Sequence, residues 1–268
     1  MAIAEPKMTE TPDITVTIIF HHEGAFAIPA LASLTDLVNV ARTAGLVVET
    51  QAILDRADDL TKQIVGARGQ WIDRVEEVSF GDLGLSRNAG AQFATGRFLS
   101  FLDGDDLWGE EWLRAAFGAA TGTDAPREAI WHPEHLYVFT EADFDRSSAS
   151  ATPQAGVESF HALMCSSDKP GFNQGLLLFD NLWSANAFAS REIHLRFPYS
   201  AVDPVRARGF EDWSWNLATL GAGIPHRIVP EAVHLIRKKG GNSLDQQSRA
   251  SGFLPHLPPS AVWRQKRS

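Results

Sequence analysis

Three carboxylates follow an apolar run in residues 98–108, and their types and spacing could bind a metal ion. The run reads FLSFLDGDDLW, so Asp103, Asp105 and Asp106 come directly after residues typical of a buried strand. Open α/β sheets bind ligands at the carboxyl ends of their strands. Grouped carboxylates repel one another unless a cation lies between them, and Mg²⁺ or Mn²⁺ is commonly held this way with substrate phosphates. A solvated acidic turn is the simpler interpretation of a lone D-x-D.

A second pair of acids, Glu211 and Asp212, opens a predicted helix much later in the chain. A carboxylate at a helix start can accept a hydroxyl proton as that oxygen attacks. Trp213 and Trp215 follow, and their flat apolar faces could stack against a ligand. Taken alone, the motif is more typical of an acidic cap on a helix with buried tryptophans.

Two further polar groups lie beside predicted element ends. The cluster His21-His22-Glu23 invites a metal interpretation, but adjacent turn residues rarely aim two imidazoles at one ion, and no third ligand is evident. Arg87 and Asn88 lie in the first turn of a predicted helix, where the helix N-terminus and an arginine favour an anion. A surface arginine beside an amide cap is the alternative.

Alternating strands and helices in the first half position these residues. Predicted strands cover residues 14–20, 47–54, 75–80 and 97–102, and predicted helices cover 29–43, 58 onward, 86–92 and 110–120. Ser86 is the predicted cap of the third helix. This order predicts parallel βαβ units and therefore an α/β domain.

The second half predicts fewer regular elements. Strands are expected over residues 130–139, 176–179, 228–229 and 233–236, a helix over 210–220, and a loop over 146–156. The boundaries expected from these patterns are a flexible tail at 1–12, a domain at 13–243 with halves 13–120 and 121–243, and a C-terminal tail at 244–268.

Composition narrows the class of protein. The chain has 268 residues, 44% of them hydrophobic, which is enough for one large domain with a sizeable core. A net charge of −9 argues against a general nucleic-acid binder. The single cysteine, Cys165, can form neither an intrachain disulfide nor a cysteine zinc site. No apolar run of transmembrane length and no secretory signal is evident, so a cytoplasmic protein is expected.

Residues 85–108, LSRNAGAQFATGRFLSFLDGDDLW, resemble the nucleotide-sugar-binding half of family 2 glycosyltransferases of the GT-A fold. Such proteins carry an S-x-x-R-N-x-G helix, an A-x-G turn and a strand ending in L-D-x-D-D, in this order. With the Glu211-Asp212 pair, the resemblance spans residues 14–243. It implies a Rossmann-like α/β fold with a mostly parallel central sheet and a C-terminal acceptor-side lobe. It also implies inverting transfer of a sugar from a nucleotide-diphospho-sugar to an acceptor hydroxyl.

The resemblance implies roles for the matched residues. Asp212 would be the catalytic base with Glu211 beside it, and Trp213 and Trp215 would contact the acceptor. Asp103 and Asp105 would bind Mn²⁺ or Mg²⁺, with Asp105 making the main contact and Asp106 lying behind. The donor-binding residues would be His22, Glu23, Asp55, Arg87, Asn88, Asp103, Gly104, Asp105, Arg237 and Lys239.

The chain departs from the family pattern at two places. Asp55 resembles the acid that reads the donor base, but Arg56 and Ala57 replace the usual second Asp and Gly, which leaves UDP, GDP and dTDP donors open; a strand-end turn cap is the alternative. After the last strand, Arg237 and Lys239 match an R-x-K version of a diphosphate loop that continues through Gly240-Gly241-Asn242-Ser243. Some relatives have a metal-binding histidine at the Lys239 position, and His234 is a weak substitute.

The expected acceptor is a saccharide or a lipid-linked molecule, which suggests cell-surface polysaccharide or glycolipid synthesis. A basic cluster near the end, Arg264, Lys266 and Arg267, leaves peripheral contact with the inner face of the membrane open. Two other classes stay in view. A sugar-phosphate nucleotidyltransferase would need a glycine-rich basic loop after the first strand, which residues 20–24 lack. A non-catalytic nucleotide-sugar-binding domain would not need Asp103, Asp105 and Asp212 together.

Overall fold

The computed structural model describes residues 11–140, 159–239 and 248–257. The strands in these ranges are β1 (Ile14–Phe20), β2 (Val48–Asp55), β3 (Arg74–Val78), β4 (Phe98–Asp103), β5 (Leu107–Trp108), β6 (Ile130–Phe139), β7 (Phe160–Leu163), β8 (Phe188–Ser190) and β9 (His226–Arg237). The helices are α1 (Ala27–Thr43), α2 (Asp59–Arg68), α3 (Leu83–Phe93), α4 (Trp112–Thr121), α5 (Arg191–Arg196) and α6 (Glu211–Gly221).

These strands form one sheet in the order β3-β2-β1-β4-β8-β6-β9-β5, with β7 paired to β6. The first four are parallel, as the alternation of strands and helices predicts. The short β8 runs antiparallel to both β4 and β6, so β6 and its parallel partner β9 point the same way as β4. The carboxyl ends of β1, β2, β4, β6 and β9 therefore lie along one edge of the sheet.

The sheet is covered by helices whose apolar faces the sequence pattern predicts. All seven residues of β1 are buried, which is typical of a central parallel strand covered on both faces. Helix α1 buries an apolar stripe that includes Leu31, Leu34 and Leu37 in the main core. The stretch Gly24–Thr43, which contains α1, is long and apolar enough to cross a membrane by length and composition; here its apolar side packs in the core.

Several local predictions are corrected by the structure. Residues 176–179 are not a strand, because Gln174–Leu178 forms a 3-10 helix capped by Asn173. The two short strands expected at 228–229 and 233–236 are one strand, β9, with Glu231 at a positive φ of 62° and a register shift opposite Pro133.

The cap of α3 is also corrected. Asp82, not Ser86, is the N-cap, and its carboxylate accepts a hydrogen bond from the backbone N–H of Leu85 at 2.9 Å. Helix α3 therefore begins three residues earlier than expected, and Ser86 and Arg87 lie inside it rather than at its first turn.

Some predictions lie outside the described residues, namely the loop at 146–156, the Gly240–Ser243 part of the diphosphate loop and the basic cluster near residue 264. Residues 248–257, within the expected C-terminal tail, contact the segment before α6. Gly209 donates its backbone N–H to the carbonyl of Leu254 at 3.0 Å, and His256 donates its own to the Ser214 hydroxyl at 2.9 Å.

Candidate active site

Arg87 joins the two acid clusters that lie far apart in sequence. Its guanidinium is 2.7 Å from Oδ1 of Asp103 at the end of β4, and it also contacts Glu211 at the start of α6. The Arg87 side chain is almost fully buried, and the two carboxylates hold its pKa above the usual value. The phenol ring of Tyr199 lies 5.6 Å from the guanidinium carbon. Because both carboxylates offset the charge of one buried guanidinium, the end of β4 and the start of α6 are held together.

Asp212 lies beside this ion-pair network and has different partners. Its Oδ2 accepts a hydrogen bond from the side-chain amide of Asn181 at 2.9 Å, and its Oδ1 accepts from the backbone N–H of Trp213 at 2.7 Å. Burial, together with the negative charge of Glu211, raises the pKa of Asp212 to about 7, although Arg87 acts in the opposite direction. A carboxylate with a pKa near neutrality is suited to accept and release a proton.

The backbone before this acid pair is strained. Phe210, the residue directly before Glu211, has a positive φ of 56°, which bulky side chains rarely adopt. Such conformations concentrate at functional sites because the surrounding structure must hold them.

Asp105, Lys239 and Arg237 meet at the same sheet edge. The ammonium of Lys239 is 2.7 Å from Oδ2 of Asp105, and the Arg237 guanidinium donates to the Asp105 carbonyl at 3.0 Å. The Arg237 guanidinium carbon lies 4.8 Å from the ring centroids of both Phe26 and Phe139. The structure therefore brings the two predicted diphosphate-loop cations to the D-x-D motif.

Glu23 lies at this edge as well. Burial, helped by the charge of Asp105, raises its pKa to about 7, while Lys239 acts in the opposite direction. The rings of His21 and His22 stack at 4.0 Å; the His21 ring contacts the backbone carbonyl of Asp55 at the end of β2, and the His22 ring contacts that of Arg56 directly after it. The two imidazoles are thus engaged with the chain rather than converging on one ion, as the sequence indicated.

Asp106 and His234 form a buried pair behind the site. The His234 ring nitrogen Nε2 is 3.1 Å from Asp106, whose other oxygen accepts the backbone N–H of Arg237 at 2.8 Å. Burial raises the pKa of Asp106. His234 is 2% exposed and stacks on Trp108 at 5.9 Å, so it is not placed as a substitute ligand for metal.

Asp55 organises the loop that precedes α3. Its two carboxylate oxygens accept the backbone N–H groups of Gly81 at 2.8 Å and Asp82 at 3.0 Å, together with the Ser86 hydroxyl at 2.8 Å. This arrangement matches the turn-cap alternative, and reading of a donor base by Asp55 stays a prediction.

Asn88 and Gly104, which the sequence predicts as donor contacts, each have a structural role in the fold. The Asn88 side chain donates to the Tyr199 carbonyl at 2.8 Å and accepts the Tyr199 N–H at 2.7 Å, so its amide is occupied within the protein. A Cβ on Gly104 would lie 2.6 Å from the Ile19 carbonyl oxygen and would overlap the Phe20 ring. The glycine is thus required by packing against the end of β1.

The two tryptophans predicted to contact the acceptor are buried. Trp213 is 6% exposed and its indole N–H donates to the Leu177 carbonyl, while Trp215 is 2% exposed and donates to the Phe197 carbonyl. Both bonds are 2.7 Å long. These residues hold α6 in the core and do not offer a face to a sugar, which corrects the sequence interpretation.

Asn181 was missed by the sequence interpretation although it touches Asp212. It lies in an irregular segment with no motif around it, so no pattern pointed to it. Asn216 could have been noticed, because it is one helical turn after Asp212 and therefore lies on the same side of α6.

The residues at the D-x-D motif fit a divalent cation. Within the described part of the chain, no group of three or more His, Cys, Asp or Glu side chains forms a complete metal cage. Mg²⁺ and Mn²⁺ commonly use only one or two carboxylates and complete their coordination with phosphates and water. Asp103 pairs through one carboxylate oxygen with Arg87, and Asp105 pairs through one with Lys239. Among the described residues, the second oxygen of each carboxylate is left for a metal ion.

The fold is shared with glycosyltransferases of known structure. TarS residues 1–349 of S. aureus in complex with UDP-GlcNAc match at 15% identity with a TM-score of 0.57, over 86% of this chain and 60% of that one. The mannosyltransferase PcManGT of Pyrobaculum calidifontis with GDP-Man and Mn²⁺ matches at 17% identity with a TM-score of 0.56, over 92% of this chain and 63% of that one. GalNAc-T7 with UDP, GalNAc and Mn²⁺ matches at 16% identity with a TM-score of 0.54, over 85% of this chain and 44% of that one. The chain thus spans less than two thirds of the length of these proteins.

The fold is that of GT-A glycosyltransferases, with a mixed sheet that is parallel in its longest ladders. Residues 15–125 match the sequence model of glycosyl transferase family 2, which confirms the resemblance to that family over this part of the chain. Beyond residue 125 the likeness is one of fold. No curated protein sequence matches the chain.

Proposed function

We propose that this protein is an inverting glycosyltransferase that moves a sugar from a nucleotide-diphospho-sugar to an acceptor hydroxyl. The observation that carries the proposal is the Arg87 network, which joins the D-x-D acid Asp103 to Glu211 and so sets Asp212 beside the donor edge of the sheet. A nucleotidyltransferase would need a glycine-rich basic loop after the first strand, which residues 20–24 lack.

In the proposed reaction, Asp212 accepts the proton of the acceptor hydroxyl as its oxygen bonds to the anomeric carbon. The bond from that carbon to the donor diphosphate breaks on the opposite face, and its electron pair leaves with the diphosphate. Arg237 and Lys239 supply fixed positive charge at the edge where the diphosphate departs. When bound by Asp103 and Asp105, Mn²⁺ or Mg²⁺ supplies further positive charge to the leaving group.

The proposal extends to the donor, the acceptor and the place of the reaction in the cell, all of which rest on the family resemblance. The donor is a UDP-, GDP- or dTDP-linked sugar, and TarS and PcManGT were solved with UDP-GlcNAc and GDP-Man. The acceptor is a saccharide or a lipid-linked molecule of cell-surface polysaccharide or glycolipid synthesis, and transfer takes place in the cytoplasm or at the inner face of the membrane.

The test compares Asp212→Asn with Glu211→Gln in a transfer assay, after a screen of UDP, GDP and dTDP sugars with Mn²⁺. Asparagine keeps the shape of Asp212 but cannot accept a proton, so the rate should fall by about 10²–10⁴-fold with unchanged nucleotide affinity. Glu211→Gln should lower the rate less. If Asp212→Asn turns over normally and Glu211→Gln is inactive, the two roles are reversed; if both stay active, this helix does not carry the base.

A further inference from the structure

Two amide side chains form a hydrogen-bonded series that ends on Asp212. Asn216 donates its side-chain N–H to Oδ1 of Asn181 at 2.8 Å, and Asn181 donates its own to Oδ2 of Asp212 at 2.9 Å. Asn216 is 2% exposed and lies one turn after Asp212 on α6, whereas Asn181 comes from the segment after the 3-10 helix Gln174–Leu178. The series therefore ties that segment to the helix carrying the acid.

The direction of these hydrogen bonds follows from the chemistry of the groups. An ionised carboxylate can only accept, so Asn181 must turn its NH₂ group towards Asp212. Its oxygen then faces away from Asp212 and towards Asn216, whose own amide is buried and would be costly to leave unpaired. Asn216 donates to that oxygen, and an Asn181 amide rotated by 180° would lose both bonds.

The other charged and titratable groups near Asp212 do not replace this contact. Glu211 on the same helix and Asp103 on β4 are negative and favour protonation of Asp212, and the buried Tyr199 phenol is neutral. Arg87 on α3 is positive, but its guanidinium is bonded to Asp103 and Glu211. Among the described residues, Asn181 is the side chain that donates a hydrogen bond to Asp212.

We propose that Asn181 and Asn216 are positioning residues for the proton acceptor: Asn216 fixes the orientation of the Asn181 amide, and Asn181 orients the Asp212 carboxylate by donating a hydrogen bond to its Oδ2. This inference rests on the proposed role of Asp212 in sugar transfer. It goes further because it assigns the orientation of the base to two residues that are not among the predicted donor-binding or metal-binding residues.

The test is a double-mutant cycle between Asn216→Ala and Asn181→Ala. Asn216→Ala removes the donor that fixes the Asn181 amide and brings no new charge near Asp212. It should lower kcat by up to about 10-fold, with unchanged donor affinity. Asn181→Ala removes the hydrogen bond to Asp212 itself and should lower kcat by about 10-fold to 100-fold. Asn216→Ala should add little once Asn181 is absent.

Two controls separate the effect of this series from a general loss of packing. Asn186→Ala makes the same truncation at another asparagine that is 2% exposed, one whose side-chain oxygen accepts from Ser100, and it should leave kcat close to that of the unmodified protein when folded. Asn216→Leu replaces Asn216→Ala if the latter does not fold, since leucine has a similar volume and no hydrogen-bond donor.

The outcomes separate this inference from the proposed function. Equal losses of kcat from Asn216→Ala with and without Asn181 would overturn it, because Asn216 would then not act through Asn181. Near-normal kcat in Asn181→Ala, with Asp212→Asn inactive, would overturn it while leaving the role of Asp212 intact. Full activity of Asp212→Asn would instead reject the proposed function itself.

Discussion

Glu211 and Asp212 are adjacent acids with different surroundings. Glu211 contacts the buried guanidinium of Arg87, whereas Asp212 accepts hydrogen bonds from a side-chain amide and a backbone N–H. Because a buried carboxylate without a bonded cation is protonated more easily, the pKa of Asp212 rises to about 7. This difference between neighbours supports Asp212 as the base and Glu211 as part of the ion-pair network.

The raised pKa predicts the pH dependence of the rate. The base must be ionised to accept a proton, so kcat/KM should rise with pH up to about 7 and level off above it. Below that value it should fall about tenfold per pH unit. The check is a pH–rate profile at saturating Mn²⁺, with the residual rate of Asp212→Asn as control. If the residual rate of that variant still falls in the same way below pH 7, another group must cause the pH dependence, and Glu23 is the candidate.

Asp105 allows a test of the metal at the level of one side chain. Asp105→Asn removes the negative charge that pairs with Lys239 and that we propose binds the metal. Stabilisation of the protein by nucleotide with Mn²⁺ should therefore largely disappear while the fold persists. Thermal unfolding with UDP or GDP, with and without Mn²⁺, measures this. Asp36→Asn, an exposed acid on α1, is the matched control and should behave as the unmodified protein. Equal Mn²⁺-dependent stabilisation of both variants would reject Asp105 as a ligand.

Among the elements, the sheet edge has the largest effect on the site. The parallel strands β1, β2 and β4 end side by side, so the Asp55 loop, the His21-His22-Glu23 turn and the D-x-D motif are neighbours although they come from separate segments. Strand β9 runs the same way and delivers Arg237 and Lys239 to this edge. Helix α6 is held in the core by its two buried tryptophans, and the acids lie in its first turn.

The contact between β4 and β1 predicts a stability effect at Gly104. Gly104→Ala would force a Cβ against the Ile19 carbonyl and the Phe20 ring, so the free energy of unfolding should fall by about 1–3 kcal/mol. Gly118→Ala on α4 is the matched control, since nothing lies within 4 Å of its Cβ position, and it should stabilise by about 0.4–1 kcal/mol. Denaturant unfolding without nucleotide distinguishes packing from ligand contact. An unchanged stability of Gly104→Ala, with weaker nucleotide binding, would favour the original sequence interpretation.

At the scale of the whole molecule, Arg87 connects the first half of the chain to the second. Its partners Asp103 and Glu211 come from the two halves, and the Arg87 side chain is almost fully buried while theirs are partly exposed. Breaking a buried ion pair by removing one partner leaves an uncompensated charge, which costs far more than loss of a surface pair. The network therefore couples the stability of the fold to the geometry of the site.

Arg87→Met should therefore impair both properties. The free energy of unfolding should fall by about 3–5 kcal/mol, and kcat should fall because Glu211 and Asp212 lose their link to the D-x-D strand. Arg97→Met removes an arginine that is 58% exposed and 3.9 Å from its acidic partner, and it should change stability by no more than about 1 kcal/mol. Denaturant titration and transfer assays on both variants provide the comparison. Similar stabilities for the two variants would show that the buried pairing contributes little.

The sequence by itself determined the parallel half of the sheet and the existence of two acid motifs. Strand–helix alternation is a local pattern with a strong period, and residues 14–103 carry it clearly, so the strand ends and the D-x-D position followed. The R-N-x-G helix, the A-x-G turn and L-D-x-D-D are contiguous, so their resemblance to family 2 glycosyltransferases was also readable, and the match over residues 15–125 confirms it.

Only the tertiary structure decided which of these residues work together and which are structural. Burial and hydrogen-bond partners depend on contacts between distant segments, so the sequence could not show that Trp213 and Trp215 are core residues or that the Asn88 amide is occupied by Tyr199. It could not show that Arg87 bridges Asp103 and Glu211. Nor could it find Asn181, which has no motif and reaches Asp212 only because the fold brings an irregular segment against α6.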